Sequence, residues 1–266
     1  MATSARLTIL GLARLLVVAG LLLSVAGLAR AATEPPRVMV LTATGVVDSV
    51  MASYLEEGTA KAAREDAEAV VIRLNTPGGS LDATTRITSA LLDAAVPVIV
   101  WVAPSGGRAA SAGTFITLAA NLAYMAPGTN IGAATPVDSS GADIPGDLGK
   151  KVRNDAVANI TAIAEARGRP VYWAVATVEE ARSDPASVAV TAGAVDGIAS
   201  SLHAVLEQAD GQEVTVAGST VTLDTADAEV VEAPMNPLQS LLHLLSDPNI
   251  AFILFTIGSY GLIFDL

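Results

Sequence analysis

From residue 37 to residue 126, short apolar runs rich in β-branched residues alternate with longer amphipathic ones, and only a few residues connect them. A chain patterned this way folds as a parallel sheet covered by helices, because each crossover helix returns the next strand alongside the last. The strands read as "RVMVLTATGVV" (37–47), "AVVIRLNTP" (69–77), "VPVIVWVA" (96–103) and "LAYMA" (122–126). Between them, "DSVMASYLEEGTAKAAREDA" (48–67) is a helix with Asp48 or Ser49 at its N-cap. "LDATTRITSALLDAA" (81–95) and "AASAGTFITLAA" (109–120) are two further helices. With 266 residues, 52% of them hydrophobic, the chain has material for one substantial core and a small appendage.

Beyond the alternating region, "DSSGADIPGDLGK" (138–150) is rich in Gly, Ser, Asp and Pro and reads as a mobile surface loop. The longest helix follows at 150–169, and "EVTVAG" with "STVTLD" reads as a hairpin over 213–224. Both ends of the chain concern the membrane. Residues 1–32 combine Arg6 and Arg14, an apolar run and "ARA" at 29–31, the pattern of a secretory signal peptide cut after Ala31 or Ala32. An uncleaved anchor is the alternative. Residues 249–264 are almost wholly apolar but shorter than the roughly 20 residues a spanning helix needs. A buried terminal helix is one reading. A membrane helix that stops short, as in a piece of a longer membrane protein, is preferred, because "MNPLQSLLHLLSDP" before it reads as an amphipathic surface helix. The expected organisation is thus signal peptide 1–32, one α/β domain 33–225, and amphipathic linker with membrane segment 226–266. The domain would then face the extracytoplasmic side.

A formal charge of −12 excludes a nucleic-acid partner, since phosphate binding needs a basic surface. Cysteine is absent and histidine occurs twice, so neither a thiol nucleophile nor a multi-histidine metal site is indicated, and no cofactor is expected.

Two glycine-rich elements carry the chemistry. "NTPGGS" (75–80) ends one strand, and "GGRAASAGTFI" (106–116) places Ser111 where the next strand gives way to a helix. In acyl transfer, fixed backbone N–H groups stabilise the oxyanion of the tetrahedral intermediate, and glycine lets the backbone approach closely. Gly78 and Gly79 are candidate donors, at the strand end where α/β sheets bind ligands. Ser111 is a candidate nucleophile at a helix N-terminus, which favours developing negative charge. "PGG" alone is usually a turn, and "AASAG" alone usually a close helix contact. One strand-and-helix unit apart, they make a more specific signal.

"LNTPGGSLDATTRI", "GGRAASAGTFITLAANLAYMAPGTNIGAATPV" and "KKVRNDAVANITAIAEARGR" together resemble the NfeD membrane-bound serine proteases, relatives of signal peptide peptidase A within the Clp protease and crotonase superfamily. The resemblance covers roughly residues 37–200. It implies a ClpP/crotonase-like α/β fold of repeated β-β-α units and a serine–lysine dyad. It places the nucleophile at Ser111 and the oxyanion hole on the glycine pair and the amide of Ala112. The chain departs from the family before Gly193 and Asp196, where a Glu-Glu-Ala-Leu helix is shortened or displaced into "VEEARSDPAS".

A serine hydroxyl needs a base. His203 reads as a solvated helix position and His243 as part of the membrane-surface helix, so a histidine triad is disfavoured. The lysines are Lys61, Lys150 and Lys151. Lys61 sits in a charged helix, solvated or paired with Glu57. The family's catalytic lysine opens its helix in a K-x-x-N pattern, matched by "KVRN", which selects Lys151 over Lys150. The resemblance therefore implies a membrane-associated serine endopeptidase acting on hydrophobic segments of membrane proteins, with a stomatin-like partner and homo-oligomers. A catalytically weak membrane scaffold for stomatin-like assemblies is the alternative. A crotonase-type acyl-thioester enzyme is disfavoured by the export signal.

Overall fold

The computed structural model describes residues 35–264 except Ser139. The signal-peptide reading of residues 1–32 lies outside them. In chain order the elements are β1 (Arg37–Thr44), α1 (Ser49–Arg64), β2 (Ala69–Asn75), α2 (Leu81–Leu92), β3 (Val98–Val102), β4 (Arg108–Ala110), α3 (Ala112–Ala119) and β5 (Leu122–Met125). Then come β6 (Asn130–Gly132), α4 (Gly146–Ala166), α5 (Val171–Glu179), β7 (Ser183–Pro185), α6 (Ala186–Thr191), β8 (Gly197–Ile198) and α7 (Leu202–Ala209). The last are β9 (Glu213–Val216), β10 (Ser219–Thr222), β11 (Glu229–Glu232), α8 (Pro237–Ser246) and α9 (Pro248–Phe264).

The main sheet runs β11-β1-β2-β3-β5-β8, every pair parallel. β3, "VIVWV", is buried at all five positions, as a central parallel strand covered on both faces must be. Strand alternation splits the core in two. Met39 and Leu41 of β1 join Leu55, Ile87, Ile116, Ile160 and Trp173 under the helices α1 to α5. Val38 and Val40 face the other way, where Val205 and Leu206 of α7 and Val214 and Val216 of the hairpin cover them.

The expected strands and helices of residues 37–126 are all present, with one change. Residues 108–110 are not the start of a helix but the short strand β4, which pairs with β6 and bridges Thr76 through Ala109. This makes two consecutive strand–short strand–helix units, β3-β4-α3 and β5-β6-α4. The long helix begins at Gly146, earlier than expected, inside the segment read as a loop. The hairpin β9–β10 forms as expected. The stretch read as a linker from 226 contributes β11, which extends the sheet beside β1.

Asp48 does cap α1, accepting from the Met51 amide at 2.7 Å. Its other carboxylate oxygen meets His243 Nδ1 at 2.9 Å, while His243 Nε2 lies 3.0 Å from the Thr44 carbonyl oxygen. The surface helix α8 is therefore moored to the loop between β1 and α1. Leu241 and Leu244 of α8, and Phe252, Phe255 and Leu262 of α9, are exposed. Among the described residues no single helix is long and apolar enough to cross a membrane; α8 and Ile250–Phe264 pass that test only as a pair bent by 79°.

Arg169, 7% exposed, grips both carboxylate oxygens of Asp196 at 2.9 and 2.7 Å, and Asp196 also accepts from the Ala123 amide. Beside them, burial pushes the Tyr124 phenol up to about 12, with the Asp196 carboxylate adding to the rise and Arg169 opposing it. The folded protein thus keeps a proton that the unfolded chain releases near pH 10, so Tyr124 costs stability as pH rises from about 10 to 12. Tyr124→Phe is expected to flatten that part of a melting-temperature profile. An unchanged slope would contradict the assignment.

Candidate active site

Ser111 sits between β4 and α3 with φ 52° and ψ −113°. A left-handed φ at a non-glycine residue costs about 1–3 kcal/mol and persists only where surroundings enforce it. Here the Ser111 amide donates to the Gly132 carbonyl at 2.9 Å, and the Ser111 carbonyl accepts from the Thr114 amide at 2.9 Å. The Thr114 hydroxyl bonds the carbonyls of Ala109 and Gly132 from below. The turn projects a half-buried hydroxyl that caps nothing in its own helix. A strained strand-to-helix turn of this kind is one way a fold exposes a serine hydroxyl to a cavity.

The "TPGG" segment lies against it. A side chain at Gly78 would place Cβ 2.8 Å from Ser111 Cβ, and Gly78 has φ +121°, so both space and conformation require glycine. At Gly79 a Cβ would fall 2.0 Å from the Val47 carbonyl oxygen. The Val47 amide donates to the Gly78 carbonyl, and the Val47 carbonyl accepts from Ser80. In an extended segment the intervening Gly79 amide points the opposite way. It donates to nothing among the described residues, and neither does the amide of Ala112 at the first turn of α3.

Ser111, Gly79 and Ala112 line one cavity of about 60 Å³, walled by Leu81, Thr84, Phe115, Ala134, Pro136 and Val137. Leu81, Thr84 and Phe115 also wall an adjoining space of about 40 Å³, closed by Val152, Asp155, Ala156 and Asn159 of α4. The structure thus gathers three of the expected site residues around one hollow of mixed polar and apolar lining. Gly78 is close, but its amide is occupied: it donates to Thr76 Oγ1 at 3.0 Å. That contact corrects the expectation that both glycines offer a free donor.

Lys151 does not line the cavity. It is exposed near the start of α4, one residue before Val152, with no hydrogen bond or ion pair among the described residues. Lys150 pairs loosely with Asp147 at 3.5 Å. Lys61 pairs with Glu65 at 3.9 Å, not with Glu57. His203 is exposed and faces Glu207, as its helical spacing suggested. His243 is committed to Asp48 and Thr44. Thr76 is the residue that sequence reasoning passed over. Its signal is only its place two residues before the first glycine.

The family profile described as "NfeD1b, N-terminal domain" matches residues 37–233. The chain is 34% identical to a membrane-bound protease, PH1510, of Pyrococcus horikoshii over 207 residues, 76% of this chain and 46% of that protein. It is 27% identical to the membrane protein NfeD1b of Bacillus subtilis over 240 residues, 89% of this chain and 52% of that protein. It therefore spans about half the length of the curated relatives it matches. Among solved structures it resembles the 1510-N membrane-bound stomatin-specific protease, solved as a lysine-to-alanine mutant with a substrate peptide. The TM-score is 0.74 at 29% identity, covering 79% of this chain and 97% of that one. The 1510-N protease from Pyrococcus horikoshii, specific for a stomatin homolog, gives a TM-score of 0.70 at 29% identity, over 80% and 99% of the two chains.

Proposed function

The chain belongs to the family of NfeD1b N-terminal domains, and we propose that it is a membrane-associated serine endopeptidase with the ClpP/crotonase-like arrangement and a Ser111–Lys151 dyad. One observation carries this reading: the strained Ser111 shares a cavity with two unpaired backbone amides, those of Gly79 and Ala112. Ser111 attacks the scissile carbonyl. The amides hold the oxyanion, and the N-terminus of α3 adds its dipole. Lys151 takes the serine proton and returns it to the leaving amine.

The walls formed by Leu81, Phe115, Pro136 and Val137 suit an apolar peptide. That favours hydrophobic segments of membrane proteins, and the relatives' specificity suggests a stomatin-like protein. The exposed apolar faces of α8 and α9 suit a lipid surface, with the domain on the extracytoplasmic side and the protein working as a homo-oligomer. The scaffold alternative draws on one observation, that Lys151 is exposed and does not line the cavity. A fluorophosphonate probe separates the two readings. Labelling confined to Ser111, with cleavage of a hydrophobic stomatin-type peptide, supports the protease. A folded protein that neither labels nor cleaves supports the scaffold.

A further inference from the structure

We propose that Thr76 is a positioning residue for this reaction: its hydroxyl holds the peptide of Gly78 so that the Gly79 amide alone of the glycine pair faces the oxyanion. The inference rests on the serine-protease reading above. Thr76 is fully buried. Its Oγ1 accepts from the Gly78 amide at 3.0 Å and donates to the Gly78 carbonyl at 3.2 Å. The same carbonyl accepts from Val47. Both polar groups of Gly78 are thereby fixed at a φ of +121° that glycine would otherwise leave freely.

The rest of Thr76 holds the nucleophile's side of the site. Its amide donates to Arg108, and its carbonyl accepts from Ala110, the residue before Ser111. A Cβ at Gly113, within α3, would come 2.6 Å from Thr76 Cγ2, so the methyl group fills the gap against the helix that Ser111 opens. One side chain thus sets the spacing between oxyanion donor and nucleophile: the hydroxyl on one, the methyl on the other. A buried donor deprived of its partner turns to find another. Without the hydroxyl, Gly78 would therefore rotate and carry Gly79 with it.

The two functions separate by substitution. Thr76→Val keeps the methyl and removes the hydroxyl. It is expected to lower kcat about tenfold to a hundredfold, less than outright removal of an oxyanion donor, with KM nearly unchanged. Thr76→Ser keeps the hydroxyl and loses the methyl. It is expected to keep most of kcat while melting a few degrees lower. Both variants lose some stability, the valine one through the buried Gly78 amide left unpaired, but only the valine variant loses kcat, which a merely structural role does not produce. Fluorophosphonate labelling of Ser111 should slow in the valine variant and not in the serine variant.

Equal kcat in Thr76→Val and the unmodified protein would overturn the proposal, as would a Thr76→Ser variant as slow as Thr76→Val. Should the valine variant not fold, amide exchange in the unmodified protein decides. The adduct should slow exchange at Gly79 and Ala112 and leave Gly78, already protected, unchanged. New protection at Gly78 would overturn the assignment. If the folded, unmodified protein forms no adduct at all, the protease reading falls and this inference with it. An adduct that forms equally fast in both variants counts against Thr76 alone.

Discussion

Ser111→Ala is expected to remove the proposed peptide cleavage, by a factor on the order of 10⁴–10⁶ in kcat, and to leave the melting temperature nearly unchanged. The two halves of this result have different origins. Activity depends on the hydroxyl, since the other hydroxyl lining the cavity, that of Thr84, is committed to the Ser80 carbonyl. Stability at this position depends on the backbone, which stays at φ 52° with either side chain. Ser111→Gly separates them further. It is equally inactive, yet it relieves the left-handed strain and should raise the melting temperature by an amount worth up to about 1–3 kcal/mol. A Ser111→Ala variant that retains measurable cleavage in a contaminant-free preparation would sink the nucleophile assignment. A Ser111→Gly variant less stable than Ser111→Ala would show that the turn is not strained.

The second large effect is that of Lys151. An amine serves as a general base only when packing takes it out of water, and Lys151 is exposed with no partner among the described residues. On the proposed dyad, the N-terminal part of α4 would have to bring it over the cavity when substrate or an assembly contact covers the site. The walls are placed for that: Val152, Asp155 and Ala156, just beyond Lys151, already line the space that adjoins the Ser111 cavity. Lys151→Ala is expected to lower kcat by about 10²–10⁴, the range of a lost general base. Lys151→Arg should rescue none of it, because a guanidinium keeps its proton. Lys150→Ala removes only an exposed contact to Asp147 and should stay close to full activity. Rates of peptide cleavage in the three variants settle the choice. A dead Lys150→Ala beside an active Lys151→Ala would move the base one residue back.

Most of the sheet was legible in the sequence because its strands are β-branched runs separated by helices of clear period. The exceptions have physical causes. "RAA" at 108–110 consists of good helix formers, and only its pairing with Asn130–Gly132 and its bridge to Thr76 draw it into a strand. β11 is a four-residue edge strand with glutamate at each end, so neither its length nor its pattern distinguishes it from a linker. Its partner lies at the far end of the domain sequence. At the candidate site, the meeting of Ser111 and Gly79 at one cavity was readable from glycine placement and strand ends. The occupied amide of Gly78 was not, since a hydrogen bond to a threonine two residues back leaves no trace in composition or period.

On the proposed protease reading, the mooring of α8 bears on which bonds would be cut. His243 grips Thr44 and Asp48, and the same loop, through Val47, braces the segment that carries Gly79. With α9 laid against lipid as proposed, the reactive cavity rides at a set height above the bilayer instead of swinging on a slack tether. Such a protein works as a ruler. It would select a peptide bond by its depth relative to the membrane as much as by the side chains on either side of it.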